Sequence, residues 1–211
     1  MRLGLFGGTF DPPHRAHLAL CEAAQNQLRL ERIEMTPSRF PPHRKPPVAS
    51  GIDRYAMVTL LTRDQARIVP SPRELLREGV SYTVDTLREL HREHPKAQIF
   101  LLLGGDSYDD LPNWREAKEI VSLAHLAVAQ RPGAEGLAAL RAPDRPRLMS
   151  VGADPPRDRC GIFEVSFSPL PWSASQIRAR LATGSAASMG LDPQVLHYIE
   201  ARGLYGKGRH R

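Results

Sequence analysis

The sequence is poor in cysteine and in long apolar runs, and each scarcity excludes a class of protein. Cys21 and Cys160 are its only cysteines, and their separation matches neither a metal-binding spacing nor a disulfide scaffold. The longest uninterrupted apolar run, Ile99–Leu103, is far too short to cross a bilayer. No apolar signal segment follows the N-terminus, where the chain soon becomes rich in glycine. We therefore expect a protein of the reducing cytoplasm with no membrane partner.

Acidic residues are outnumbered by basic ones, 23 to 29, which gives a formal net charge of +6. This balance favours polyanionic partners, including nucleotides. The basic residues are mostly dispersed and are locally dense only in residues 41–45 and 207–211, so we expect no nucleic-acid partner. The length suits a single domain over residues 1–205, with a long loop at about 133–160 and a flexible tail at 206–211. The oligomeric state, monomer or homodimer, stays open.

Short apolar strands alternate with helical patterns along most of the chain. The pattern predicts strands at residues 2–6, 32–35, 66–69, 98–103, 125–129 and 162–167. It predicts helices at residues 16–28, 52–61, 81–94 and 114–123, a short one at 135–141, and two near the C-terminus that begin at Ser173 and Asp192. We expect an α/β fold with a doubly wound, Rossmann-like parallel sheet, helices on both faces and a small C-terminal helical part. Ligands of such sheets bind beyond the carboxyl ends of the strands.

The richest motif follows the first strand: Gly7-Gly8-Thr9-Phe10-Asp11-Pro12-Pro13-His14-Arg15-Ala16-His17. Glycines after a strand let the backbone approach a phosphate, and the N-terminus of the next helix favours an anion. His14 and His17 are spaced to project from one face of the first helical turn. An alternative makes Asp11, His14 and His17 metal ligands of a hydrolase, but no complementary cluster completes such a site.

A second candidate phosphate element is the helix start at Ser173–Arg178, which carries an S-x-x-Q capping box. Ser173 and Ser175 offer donors there, and Arg178 lies one turn on. Two further candidate sites lie at the ends of predicted elements, one after a strand and one at the start of a helix. Gly104-Gly105-Asp106 ends a strand, where a carboxylate can accept hydrogen bonds from ribose hydroxyls. Trp114 opens a predicted helix, and its indole is either buried for structure or stacked on a cationic ring.

These strings resemble the HxGH nucleotidyltransferases, and the resemblance spans nearly the whole chain. The motif Gly-x-Phe-Asp-Pro-x-His-x-x-His carries it, together with Pro41–His43, Ser81–Leu87, Leu103–Ser107, Leu111–Trp114, Gln130–Pro132 and Ser173–Arg178. Within this group the chain is most similar to bacterial nicotinate-mononucleotide adenylyltransferases. It departs from their pattern at Ala16, where the family usually has glycine.

The resemblance implies condensation of nicotinate mononucleotide with ATP, which yields deamido-NAD and pyrophosphate in NAD biosynthesis, with Mg²⁺ carried by the ATP phosphates and no protein metal ligand. It implies catalytic roles for His14, His17 and Arg178. The implied ATP contacts are Gly7, Gly8, Thr9, Phe10, His14, His17, Gly104, Asp106, Arg131, Ser173, Ser175 and Arg178. The implied mononucleotide contacts are Gly8, Thr9, Arg44, Lys45, Thr83, Asp106 and Trp114, with the choice between Arg44 and Lys45 for the phosphate left open.

Two other functions stay open at this point. One is a related adenylyl- or cytidylyltransferase that uses nicotinamide mononucleotide or phosphopantetheine as acceptor. The other is a non-catalytic nucleotide-binding module, which would release no pyrophosphate.

Overall fold

One six-stranded parallel sheet forms the centre of the fold. The computed structural model of the chain describes residues 1–42, 46–130, 147–149, 152–158, 160–168, 171–184 and 190–206. The strands, numbered in chain order, are β1 (Arg2–Gly8), β2 (Arg32–Pro37), β3 (Ile68–Pro70), β4 (Gln98–Gly104), β5 (His125–Gln130) and β6 (Ile162–Ser166). Their order in the sheet is β3-β2-β1-β4-β5-β6. This order confirms the doubly wound, Rossmann-like class that the alternation predicted.

Helices connect most of these strands. They are α1 (Arg15–Leu28), α2 (Gly51–Thr62), α3 (Arg73–Leu76), α4 (Thr83–Glu93), α5 (Gly105–Asp110), α6 (Ala117–Leu123), α7 (Ala174–Leu181) and α8 (Pro193–Arg202), with a 3₁₀ turn at Leu111–Asn113. The last two helices form the predicted C-terminal part. The predicted helix at 135–141 lies outside the described residues.

One helix prediction was wrong at its start. The predicted helix begins at Trp114, but Trp114 is the residue that ends the 3₁₀ turn Leu111–Asn113, and its backbone is extended, with φ −73° and ψ 149°. Glu116 then adopts a left-handed conformation with φ 54°, and the helix begins only at Ala117. Left-handed backbone interrupts a right-handed helix, so α6 cannot include Trp114.

The described chain groups into two compact units. The first unit draws on Met1–Gly7, Ala19–Glu34 and Tyr82–Pro169, and the second on Gly8–Leu18, Met35–Ser81 and Leu170–Arg211. The single domain over residues 1–205 stays a prediction. A continuous apolar core fills the first unit, because β1, β4 and β5 are buried and α4 and α6 supply apolar faces. Its members are Leu3, Leu5, Val84, Leu87, Leu90, Ile99, Leu101, Leu103, Tyr108, Leu111, Ile120, Ala124, Leu126, Val128 and Ile162.

In the second unit, α8 is fixed to α2 by polar contacts. The hydroxyl of Tyr198 donates to Oδ1 of Asp53 at 2.9 Å, and Arg63 pairs with Asp192, the N-cap of α8, at 2.8 Å. Asp53 also accepts a hydrogen bond from the hydroxyl of Ser50, the N-cap of α2. The buried faces of the two helices therefore meet in a fixed orientation.

A buried histidine makes the stability of the first unit sensitive to acid. His125 is only 4% exposed, its Nδ1 accepts the Gly161 N–H at 3.0 Å, and its ring packs beside Phe100 and Phe163. Burial lowers its pKa from 6.5 to about 4. The unfolded chain thus binds this proton more readily, so stability is complete above pH 6.5 and is lost as the pH falls toward 4.

We expect His125→Asn to reduce this loss, because an amide oxygen can still accept the Gly161 N–H but does not titrate. Between about pH 7.5 and about pH 5, the drop in unfolding free energy should shrink by on the order of 2 kcal/mol. Urea unfolding of both proteins at the two pH values measures it. An equal drop in both would show that His125 is not responsible.

Candidate active site

The motif after β1 folds into a tight turn whose shape depends on Gly8 and Phe10. Phe10 has a left-handed backbone with φ 50°, and its ring would lie only 3.0 Å from a Cβ on residue 8. A side chain at Gly8 would therefore force the ring to move. The same ring meets the His17 imidazole edge to face, with centroids 5.1 Å apart. Packing around Phe10 thus fixes the position of one of the two histidines.

His14 and His17 lie directly against each other. Their rings stack with centroids 3.8 Å apart and planes 26° apart. The backbone N–H of His14 donates to Nδ1 of His17 at 3.1 Å. His14 itself lies one residue before α1, so only His17 projects from the first turn. The prediction that both side chains lie on one face is confirmed by the stacking, although His14 precedes the first turn of α1 by one residue.

Both imidazoles are held in the neutral form. Burial lowers the pKa of His14 to about 4, and burial together with the neighbouring His14 charge lowers the pKa of His17 well below its usual value. A neutral imidazole has one donor and one acceptor. Because Nδ1 of His17 accepts the His14 N–H, the hydrogen-bond network places the proton of His17 on Nε2.

His14 carries a buried polar atom that the described part of the chain leaves unsatisfied. Its Nδ1 is buried and has no hydrogen-bond partner there, and the residue is 6% exposed. Such an atom costs about 1–3 kcal/mol in a folded protein. Groups kept at that cost are concentrated at functional sites.

Fewer backbone N–H groups at the start of α1 are available to an anion than the sequence suggested. The N–H of Arg15 donates to the Gly190 carbonyl at 2.8 Å, and the N–H of His17 donates to the His14 carbonyl at 2.9 Å. With the His14 N–H bound to the His17 ring, three N–H groups at this terminus already have acceptors. An anion bound here would therefore depend mainly on side-chain donors.

Asp11 joins the motif to three other segments. Its carboxylate accepts the N–H groups of Val48 and Ala49, at 2.8 and 3.1 Å, and the hydroxyl of Tyr205, at 2.7 Å. Its backbone carbonyl accepts Nη1 of Arg178 at 2.5 Å. Arg178, predicted from the second phosphate element, therefore lies on the first element. In the described residues no group of three or more His, Cys, Asp or Glu side chains could hold a metal ion.

A fully buried arginine also supports this turn. Arg54 on α2 is 1% exposed, and its guanidinium donates to the Thr9 carbonyl at 2.7 Å and to the Ala49 carbonyl at 3.3 Å. Burial lowers its pKa, and the Asp11 charge opposes that shift. Sequence reasoning missed Arg54 and Tyr205. The only signal for Arg54 was a charge on the apolar face of a predicted helix.

Ser173 is the N-cap of α7, as predicted. Its side chain accepts the Gln176 N–H, the Gln176 side chain accepts the Ser173 N–H, and the Ser175 hydroxyl lies 3.0 Å from that of Ser173. The predicted capping box is therefore confirmed. Arg178 lies in the next turn of α7, from which it reaches Asp11.

In the first unit, Gly104 and Asp106 lie where β4 ends and α5 begins. Gly104 is the N-cap of α5, and a Cβ there would meet nothing within 4 Å. Asp106 is an exposed residue of the first turn. Gly7, at the end of β1, likewise has open space around its Cα. Open space at strand ends leaves room for a ligand.

The Trp114 side chain is half-buried against the core of the first unit, and its indole Nε1 donates to Asp110 at 3.2 Å. Asn113 donates to the same carboxylate at 2.9 Å. Thr83 is the first residue of α4. Arg44, Lys45 and Arg131 lie outside the described residues, as does most of the predicted loop at 133–160.

This fold and this site define a nucleotidyltransferase. The family model described as cytidylyltransferase-like matches residues 5–180. A Pseudomonas fluorescens protein named "probable nicotinate-nucleotide adenylyltransferase" is 38% identical, over 97% of each chain. A Laribacter hongkongensis protein of the same name is 39% identical, over 96% of this chain and 94% of the relative. The chain therefore belongs to the nicotinate-nucleotide adenylyltransferase family.

Solved structures agree on the fold. A Plasmodium falciparum nicotinic acid mononucleotide adenylyltransferase, solved as a complex with NaAD, superposes with a TM-score of 0.75 over 97% of each chain. Its sequence is only 18% identical, so this likeness concerns the fold alone.

Proposed function

We propose that the chain transfers the adenylyl group of ATP to nicotinate mononucleotide and so produces deamido-NAD and pyrophosphate in NAD biosynthesis. The observation that carries this proposal is the arrangement around Asp11. A stacked histidine pair and Arg178, from two different strand-to-helix junctions, meet on one short motif. The family membership supports the same reaction.

The reaction needs positioning more than a protein nucleophile. An oxygen of the mononucleotide 5′-phosphate attacks the α-phosphorus of ATP in line, and the bond from that phosphorus to the bridging oxygen of pyrophosphate breaks. The attacking oxygen is already anionic, so no strong general base is required. Catalysis then consists of alignment and of stabilising charge on the transferred and leaving groups.

His17 is the proposed donor to the departing pyrophosphate. Its Nε2 carries the proton because Nδ1 accepts the His14 N–H. Its lowered pKa keeps it a neutral donor at physiological pH. Such a donor is already oriented before substrate binds, and preorganised donors stabilise developing charge without a reorganisation cost. His14 is proposed to hold phosphate oxygens beside the α-phosphorus.

Arg178 is proposed to share the charge of the leaving group. Its guanidinium has donors beyond Nη1, which is the atom that contacts Asp11. Its side chain keeps a third of its surface exposed. The contact with Asp11 fixes the direction in which the remaining donors point. Ser173 and Ser175 are proposed to bind the same phosphates.

A divalent metal is proposed to enter with ATP, and Mg²⁺ is the candidate. Mg²⁺ keeps several waters and often binds through substrate phosphates with few protein ligands. It would neutralise part of the triphosphate charge. In this proposal the metal belongs to the substrate, and the protein groups around Asp11 bind its phosphates.

The pyridine nucleotide is proposed to be recognised by Trp114, Thr83 and Asp106. Trp114 would stack on the cationic pyridinium ring, and its bond to Asp110 holds the indole in one orientation. The free N–H groups expected at the start of α4, around Thr83, would receive the nicotinate carboxylate. Asp106 would accept ribose hydroxyls. The other proposed contacts of the mononucleotide are Gly8, Thr9 and either Arg44 or Lys45. The other proposed contacts of ATP are Gly7, Gly8, Thr9, Phe10, Gly104, Asp106 and Arg131.

Trp114→Ala should mainly weaken use of the mononucleotide. Cation–π stacking contributes about 0.5–2 kcal/mol, so we expect KM for nicotinate mononucleotide to rise by roughly 2- to 30-fold and KM for ATP to change by less than about twofold. Steady-state kinetics with each substrate varied in turn measure both. Trp114→Phe is the matched control, since it keeps an aromatic face, and should lie close to wild type. Equal increases in both KM values would contradict the stacking role.

The acceptor is tested by pyrophosphate release from ATP with nicotinate mononucleotide, nicotinamide mononucleotide or phosphopantetheine. The proposal expects the highest kcat/KM with nicotinate mononucleotide. A higher kcat/KM with another acceptor would assign the chain to a different transferase. If no acceptor led to pyrophosphate release, the chain would be a non-catalytic nucleotide-binding module. Ala16→Gly, assayed in parallel, shows whether the methyl group at this position affects turnover.

The proposed setting is the cytoplasm. Cys21 and Cys160 are both free thiols in the structure, which suits a reducing compartment. In the described segments no helix has the length and apolar character needed to cross a membrane.

A further inference from the structure

A tyrosine from the last turn of the described chain hydrogen-bonds the carboxylate inside the histidine motif. The Tyr205 hydroxyl donates to Oδ1 of Asp11 at 2.7 Å, although 194 positions separate the two residues. Tyr205 is 9% exposed and Asp11 is 4% exposed. Water is therefore largely excluded from this bond, and a bond in such surroundings is stronger than one in solvent.

The Tyr205 hydroxyl stays a donor at any physiological pH. Burial and the Asp11 charge raise the pKa of the phenol far above its usual range. The carboxylate it meets also accepts the N–H groups of Val48 and Ala49. With three donors placed around it, the Asp11 carboxylate has a fixed position.

Asp11 is connected to Arg178 and to the histidine pair. Its carbonyl binds Arg178, and its chain position is three residues before His14. The C-terminal segment contacts the motif a second time, through the Gly190 carbonyl and the Arg15 N–H at 2.8 Å. The two contacts lie on either side of α8, so this helix and its flanking residues brace the motif at two points.

We propose that Tyr205 is a positioning residue for adenylyl transfer, whose hydroxyl fixes Asp11 and thereby the placement of Arg178 and the histidine pair. This inference rests on the proposed function. Tyr205 touches no substrate in this account. Its loss should therefore lower kcat more than it changes either KM, because misplacement of preorganised groups affects the transition state most.

Helix α8, which precedes Tyr205, offers a matched control. Tyr198 also donates its hydroxyl to a buried carboxylate, that of Asp53, at 2.9 Å. This second bond joins α8 to α2 and does not touch the motif. Tyr198→Phe and Tyr205→Phe therefore remove the same chemical group from two similar bonds, and only one of those bonds involves the motif.

The experiment compares both variants with wild type in kcat, in KM for ATP and nicotinate mononucleotide, and in melting temperature. We expect Tyr205→Phe to lower kcat by about tenfold with both KM values within about twofold, and Tyr198→Phe to keep kcat within about twofold. Equal kcat for the two variants, at a temperature where both are folded, would overturn the inference. A wild-type protein without turnover would instead overturn the proposed function.

If Tyr205→Phe does not fold, the positioning role can be tested with a substitution that keeps a hydrogen-bond donor at position 205. 4-Aminophenylalanine, incorporated at position 205, retains an N–H donor on a ring of similar size. The inference expects its kcat to lie within about threefold of wild type. If the protein with 4-aminophenylalanine is folded but its kcat is about tenfold below wild type, as expected for Tyr205→Phe, the positioning role is contradicted.

Discussion

His17→Ala is expected to lower kcat for adenylyl transfer by about 10²–10³-fold while the protein stays folded. Removing one preorganised donor from a site of developing charge typically costs about 2.7–4 kcal/mol. His17 fits that description, because its Nδ1 is occupied by the His14 N–H and its proton therefore lies on Nε2. KM for ATP should change much less than kcat, since the interaction is strongest with the departing pyrophosphate.

His17→Gln tests whether a different donor can replace Nε2 of His17. The glutamine amide can place a donor near the position of Nε2, so this variant should recover part of the lost turnover. Single-turnover kinetics at saturating substrate, with thermal unfolding to verify the fold, measure both variants. Near-normal turnover in a folded His17→Ala protein would remove His17 from the mechanism.

Arg178→Ala should have the second largest effect, a fall in kcat of about 10²-fold. The variant removes a charged donor that is fixed against the carbonyl of Asp11. It also leaves that carbonyl without this partner, so a modest loss of stability, about 1–3 kcal/mol, should accompany the loss of rate. Lysine at this position keeps the charge but not the planar set of donors, and Arg178→Lys should recover only part of the rate.

Arg180→Ala is the matched control for Arg178. Arg180 lies on the same helix, carries the same charge and is exposed, with its guanidinium over the Trp172 ring. Its removal changes the net charge equally and should leave kcat within about twofold of wild type. Similar losses for the two variants would mean that general charge, and not the position of Arg178, supports the reaction.

Local patterns in the sequence were sufficient to predict most of the fold. Apolar runs of strand length, separated by amphipathic segments, gave all six strands to within two residues at each end. Cap signals were equally local, which is why the Ser173 capping box and the Asp192 N-cap were predicted correctly. Very short helices, such as Arg73–Leu76, contain too few residues for a periodic pattern and were not predicted.

The candidate site was predicted only in part, because its supporting contacts join distant segments. The histidine motif and Arg178 were identified from their residues, but the stacking of the two rings depends on how the turn after β1 packs around Phe10. No spacing in the sequence indicates that Tyr205 meets Asp11. The sequence also predicted that the N–H groups at the start of α1 are available for an anion. One of them, that of Arg15, donates to the carbonyl of Gly190, which is 175 positions away in the chain and which no local pattern could indicate.

If the two strand-to-helix junctions bind one triphosphate, a crystal structure of the protein with α,β-methylene-ATP will show both of them in contact with it. We expect Nε2 of His17 and the guanidinium of Arg178 each to lie about 3 Å from oxygens of the same triphosphate. A well-occupied analogue whose triphosphate contacts neither group would contradict it.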